Sequence, residues 1–343
     1  MSRSGVPVEI ILNPNWWFRN YGISFDKSFH FDRRARIEND VKMRRALFAR
    51  FGLGEADPAP RPVVGSEFVA GGFVVPALLG CEIRFEDHQA PCPVPRDLGR
   101  DEVFALRVPD IHGTWPMSAL IDDMDWLARE FGSVTGDFNT DGVLNTALQL
   151  RGQQFFLDLQ EDPELVEHLC SVIMETQAQV ASYVRKRTGT CSMAVNRSIA
   201  IVDRTIYLHA NCSTQMVSPA MFRRWLLGYE RDLAERLRPY GIHHCGDNLH
   251  LFARDYAETG AVFYDVGWGS DVARCSKALP DAFLNLRLSP IRMLQCPAAE
   301  IRDDIARLLE AAARTSKVGL CCINADYGTP DENVRARLEA RTF

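Results

Sequence analysis

Gly241-Ile242-His243-His244-Cys245-Gly246 reads as a short strand that stops at a glycine turn, and a helical pattern follows it. The same unit recurs along the second half of the chain. Runs rich in branched or aromatic residues fall at 205–209, 241–244, 261–266, 283–288 and 318–323, each followed by a helical segment. Strands alternating with helices in this way build a parallel sheet. The expected class is therefore α/β, and five βα units in a row suit the second half of a closed (β/α)₈ TIM barrel. The first three units would then lie between 60 and 200, with strand candidates at 63–69, 73–79 and 192–196.

Helix starts are marked by Ser218-Pro219 and Thr329-Pro330, which place a capping hydroxyl before a proline at the first helical position. Thr329 with Glu332 forms the pattern of a capping box. Asp162-Pro163 opens a further helix whose apolar residues Leu165, Leu169, Val172, Ile173, Val180 and Val184 keep the helical period. Residues 1–60 read as an N-terminal extension packed on a barrel of residues 61–343. The extension holds Trp16-Trp17-Phe18, Tyr21 and a helix over 33–51, and the proline-rich 57–62 closes it. Arg33, Arg34, Arg36, Arg44, Arg45 and Arg50 on that helix are expected on a solvated face.

Composition narrows the function classes. A chain of 343 residues with 46% hydrophobic content can bury a large core. Its formal charge of −6 argues against a nucleic-acid partner. The longest apolar stretch, 68–81, contains Gly71, Gly72 and Pro76 and is shorter than the roughly 18 residues a membrane helix needs, so no membrane partner is expected. The first residues carry no secretory pattern, which places the protein in the cytoplasm with its ten cysteines reduced. Gly267-Trp268-Gly269 lacks the third glycine and spaced acid of a dinucleotide fingerprint.

Imidazole nitrogen and thiolate sulfur are the donors zinc favours, and a catalytic zinc keeps one position open. His243 and Cys245 at one strand end, with Cys321 or Cys322 at another, would supply three such donors. The period of two selects His243 over His244 as the partner of Cys245. Only one of the adjacent Cys321 and Cys322 should face the metal; Cys322, nearer the strand end, is the expected ligand and Cys321 the alternative. Asn211, Asp247 and Asp265 also stand at strand ends, where they could orient the imidazole or bind substrate.

His243-x-Cys245-Gly246, Gly319 to Cys322, and Gly328-Thr329-Pro330-Asp331-Glu332-Asn333-Val334 together resemble the uroporphyrinogen decarboxylase superfamily, and within it the corrinoid-linked, zinc-dependent methyltransferases. Weaker matches at 73–85, Leu150-Arg151-Gly152, 215–219 and 285–290 extend the resemblance over roughly 60–340. It implies a (β/α)₈ barrel and methyl transfer between a corrinoid (cobalamin) and a small molecule or thiol. Zn²⁺ would be the metal, and the corrinoid would come on a separate corrinoid protein as partner or as free cofactor, since the chain has no D-x-H-x-x-G pattern. Trp16, Trp17 and Tyr21 would then form a lid over a methyl donor, or only pack the extension onto the barrel. Decarboxylases of the superfamily carry an Asp just before the equivalent of Pro76, where Gly71 stands here. A metal-free decarboxylase or lyase is accordingly the second expectation, and a non-catalytic binding barrel the third.

Overall fold

The structure is a computed structural model describing residues 5–9, 11–65, 72–190, 201–312 and 317–340. The strand candidate 192–196, the 66–69 part of 63–69, and Gly71 lie outside the described residues. A small antiparallel pair comes first, β1 (Ile83–Arg84) with β2 (Cys92–Pro93). The main sheet holds β3 (Tyr207–Ala210), β4 (Tyr240–His244), β5 (Phe263–Val266), β6 (Phe283–Arg287) and β7 (Val318–Cys321), all parallel and in sequential order. A helix follows each of the five, and together they form five units of the wall of a (β/α)₈ barrel.

Sequential parallel order follows from covering both faces of every strand. In β3, β4, β5 and β7 each residue is buried, as a sheet packed on two sides requires. Leu208, Ala210, Phe263 and Cys321 lie in an inner cluster with Ile11 and Val202. Tyr207, Ile242, Tyr264, Leu286, Leu320 and Cys322 belong to the larger core shared with the helices. Ser218 caps its helix as expected, its hydroxyl accepting from Met221 N at 3.2 Å.

Several expectations change. The 73–79 segment is not a strand: Val74–Leu78 is a short helix with every residue buried. A continuous apolar run does not distinguish the two by periodicity, and Pro76 sits in a first turn where its missing N–H costs nothing. The last helix, Asp331–Glu339, begins after Pro330 and has no side-chain cap, so the Thr329–Glu332 capping box does not form. Thr329 Oγ1 is instead buried without a hydrogen-bond partner.

The helix Arg33–Phe51 forms as read, but not all its arginines are solvated. Arg36 and Arg44 are buried, paired with Asp123 and Asp40. Nor is residues 1–60 wholly an outer addition. Val8 and Leu12 bridge Leu320 and Ala325 in parallel, so the first residues continue the barrel wall beyond β7. The helix Pro14–Tyr21 follows directly, burying Trp16 and Trp17 in the main core and leaving Tyr21 exposed. No helix among the described residues is long and apolar enough to cross a membrane.

Candidate metal centre

Register decides which side chains meet inside the barrel. Ala210, His243, Asp265, Asn285 and Gly319 occupy one level across β3–β7, and Arg287 pairs with Cys321 two residues further up. Period-two alternation carries the upper level through Cys212 and Cys245, which follow their strands by the same two-residue step. Layers of inward side chains of this kind fill a barrel, and the upper one faces the C-terminal mouth where reactions occur. Gly267 follows β5 at this level; a Cβ there would collide with the Gly246 carbonyl.

Cys212, His243 and Cys245 converge, with their ligand atoms all within 4.8 Å of one another. The Cys212 and Cys245 sulfurs are 2.9 Å apart, and His243 Nε2 lies 2.8 Å from Cys245 Sγ. His243 Nδ1 meets Asp265 Oδ2 at 2.6 Å. That carboxylate keeps the proton on Nδ1 and leaves Nε2 free to bind a metal. The chemistry of the donor set suits zinc: one nitrogen and two sulfurs, partly shielded from water.

The electrostatics favour one thiolate in the pair. The hydrogen bond from Cys212 holds the Cys245 thiol well below its ordinary range, with His243 and Arg287 adding to the effect against burial. The same hydrogen bond, together with burial, drives Cys212 upward. The two sulfurs thus share a proton. Burial works against a charged His243, but the Cys245 thiolate and Asp265 outweigh it and its pKa rises. Asp141, on a loop beside the mouth, accepts from Gly142 N, Asn145 Nδ2 and Gln149 Nε2. Burial pushes its pKa up to about 6, and the Cys245 charge adds to the rise.

Of the expected site residues, the structure joins His243, Cys245 and Asp265, and it does not bring Cys322 to them. Cys322 packs in the helix-side core, and burial raises its thiol. Cys321, the alternative, does face inward, where it groups with Glu9 and Asp265. His244 turns outward between Tyr256 Oη and Asn248 Oδ1, and burial lowers its pKa to about 4. Asn211 is buried near Tyr256 among the outer-face residues, its Nδ2 without a hydrogen-bond partner, and Asp247 is exposed on its loop. Trp16 and Trp17 serve as core packing.

Cys212, Asp141 and Arg287 went unread in the sequence. Cys212 had a signal: it stands at the end of the strand next to β4, the same two residues past the level of His243. Adjacent strand ends compared level by level disclose it; the spacing of motifs along the chain does not.

The chain belongs to the uroporphyrinogen decarboxylase (URO-D) family, whose pattern matches residues 69–342. Its structure is similar to that of a methyltransferase from Methanosarcina mazei, with a TM-score of 0.70 at 19% identity over 98% of this chain and 93% of that one. This likeness supports the (β/α)₈ fold. A B12-independent methionine synthase from Shewanella sp. W3-18-1, solved with selenomethionine, is more distant, with a TM-score of 0.41 at 10% identity over 65% of this chain and 64% of the other. No curated protein sequence matches.

Proposed function

We propose that this protein is a zinc-dependent methyltransferase that moves a methyl group between a corrinoid and a small-molecule substrate or thiol. The observation that carries the reading is the convergence of Cys212, His243 and Cys245 at the barrel mouth. Family membership and the Methanosarcina mazei methyltransferase, which shares the fold, point the same way. Zinc bound there would act as a Lewis acid on the thiol or heteroatom that gains or loses the methyl group.

The chain's own residues prepare that position. Asp265 orients His243 so that Nε2 presents its lone pair. Cys245 is ionised first, and the proton remaining on Cys212 would leave on metal binding. Arg287 lies beside Cys245, its Nη1 donating to the Cys245 carbonyl at 3.4 Å, and its charge stabilises the thiolate. The corrinoid arrives on a separate protein in the cytoplasm, with neither nucleic acid nor membrane as a partner.

Metal analysis tests the reading directly. Wild type should hold one zinc per chain, and Cys245→Ala or Cys212→Ala should lose most of it. Wild type should also exchange methyl groups between methylcobalamin and a panel of thiols, methylamines and methoxylated compounds. Unchanged zinc in Cys245→Ala would reject the site; release of carbon dioxide from a carboxylated substrate without methyl exchange would favour a decarboxylase.

A further inference from the structure

Glu9 enters the barrel interior from the N-terminal segment, outside the residues that match the family. It is completely buried, and hydrogen bonds occupy both its oxygens. Oε1 accepts from the backbone N–H groups of Ile201 at 2.8 Å and Val202 at 3.2 Å. Oε2 accepts from Asn285 Nδ2 at 2.7 Å. The same Asn285 nitrogen donates to Asp265 Oδ1 at 2.9 Å. Asp265 Oδ2 then meets His243 Nδ1 at 2.6 Å, and His243 Nε2 faces Cys245.

We propose that Glu9 is a positioning residue of the metal centre, acting through Asn285 and Asp265 on the His243 ring. The inference rests on the zinc reading above. An amide nitrogen has two protons, and here each goes to a different carboxylate. Glu9 therefore fixes which way the Asn285 amide points, and the amide fixes the plane of Asp265. The other end of that amide supplies no competing hold, because Asn285 Oδ1 is buried without a partner. Hydrogen bonds of this outer kind set the orientation and basicity of a metal-binding imidazole.

Glu9, Asp265 and Cys321 also place three donor atoms within 4.8 Å of one another, which suggests a second cation pocket. The hydrogen bonds argue for a strut instead. All four carboxylate oxygens already face partners: two backbone N–H groups, one amide and one imidazole.

Glu9→Gln tests the proposal because no amide flip repairs it. With its oxygen kept on Ile201 and Val202, the new NH₂ faces the Asn285 NH₂. Turning Asn285 to accept from it sets an amide oxygen against Asp265. Zinc affinity, measured by competition with a chromophoric chelator, should fall roughly 10-fold or more in Glu9→Gln and in Asn285→Leu. The double variant should be little worse than Asn285→Leu alone, since both changes cut one chain of contacts. Visible bands of the cobalt(II)-loaded protein should shift in all three.

Leu12→Ala serves as the packing control: it loosens the same segment and should lower Tm without changing affinity. Wild-type affinity in Glu9→Gln, with zinc lost from Cys245→Ala, would overturn the role of Glu9 and leave the metal site standing. Equal weakening in Leu12→Ala, or full additivity in the double variant, would also overturn it. Absence of zinc from the wild type would reject the metal site and the positioning role with it.

Discussion

Arg36 and Arg287 are both deeply buried guanidinium groups, 2% and 8% exposed, yet they stand in regions that use buried charge differently. In the N-terminal helix layer, Arg36 has a partner for each nitrogen: Nε donates to Val63 O at 2.9 Å, Nη1 to His30 O at 2.7 Å and Nη2 to Asp123 Oδ2 at 2.7 Å. At the barrel mouth, Arg287 donates only weakly to the Cys245 carbonyl, and its Nε is buried without a partner. Its charge is balanced by Cys245, Cys321 and Asp265 rather than by a paired carboxylate. A fully matched buried cation braces the scaffold. A buried cation with unused donors acts on what comes to the site, here the thiolate.

The largest effect should therefore follow from Arg36→Met. It leaves Asp123 buried with only the half-exposed Arg33 as partner, and removing one member of a buried pair costs about 3–5 kcal/mol. Urea denaturation would measure it, and zinc content should not change. Arg287→Met should alter stability by less than about 1 kcal/mol, since little direct pairing is lost. It should instead move the pH at which the metal-free thiols react with iodoacetamide upward, because the cation that helps hold Cys245 ionised has gone. Comparable destabilisation by the two variants would break the contrast.

The two regions also differed in how much their residues disclosed. All five strands of the second half lie within a residue or two of the expected runs, because short apolar strands with capped helices between them leave both periods visible. His243, Cys245 and Asp265 were legible for the same reason: strand ends and alternation fix their level and face. Cys212 was not, since its place depends on register between neighbouring strands, which no local pattern records. In the first half, Val74–Leu78 is buried on all sides and shows no period. Arg36 and Arg44 look like solvent residues until Asp123 and Asp40 are brought opposite them by the fold. The wall position of Val8 and Leu12 rests on contacts with residues more than 300 positions away.

Buried histidines sharpen the same comparison. His30, packed against Phe29, Phe73 and Phe85, is pushed down to about 3 by burial and by the nearby Arg36 charge. His243, at the mouth, is shifted the opposite way. For His30 the folded pKa lies below the unfolded value of 6.5, so its contribution is complete above that pH and is lost as pH falls toward 3. At pH 4.5 the loss should be about 2.7 kcal/mol, from two pH units at ~1.36 kcal/mol each. His30→Phe should flatten that part of the stability profile, measured by thermal melts between pH 7 and 4.5. An unchanged slope would mean that the helix layer tolerates the charged ring.

The smallest effect on the metal centre should come from Cys322→Ala. Its sulfur packs in the helix-side core, so truncation removes one buried atom, worth about 1 kcal/mol, and leaves zinc content as in the wild type. Cys321 pairs with Arg287 and is the last residue of β7; Cys322 already lies beyond the ladder, where alternation no longer dictates direction. Zinc analysis of Cys322→Ala beside Cys212→Ala therefore tests how far the two-sided order of the sheet extends. If Cys322→Ala loses the metal and Cys212→Ala keeps it, the chain after β7 turns inward when zinc binds, and the third ligand comes from the far side of the barrel mouth rather than from the strand beside His243.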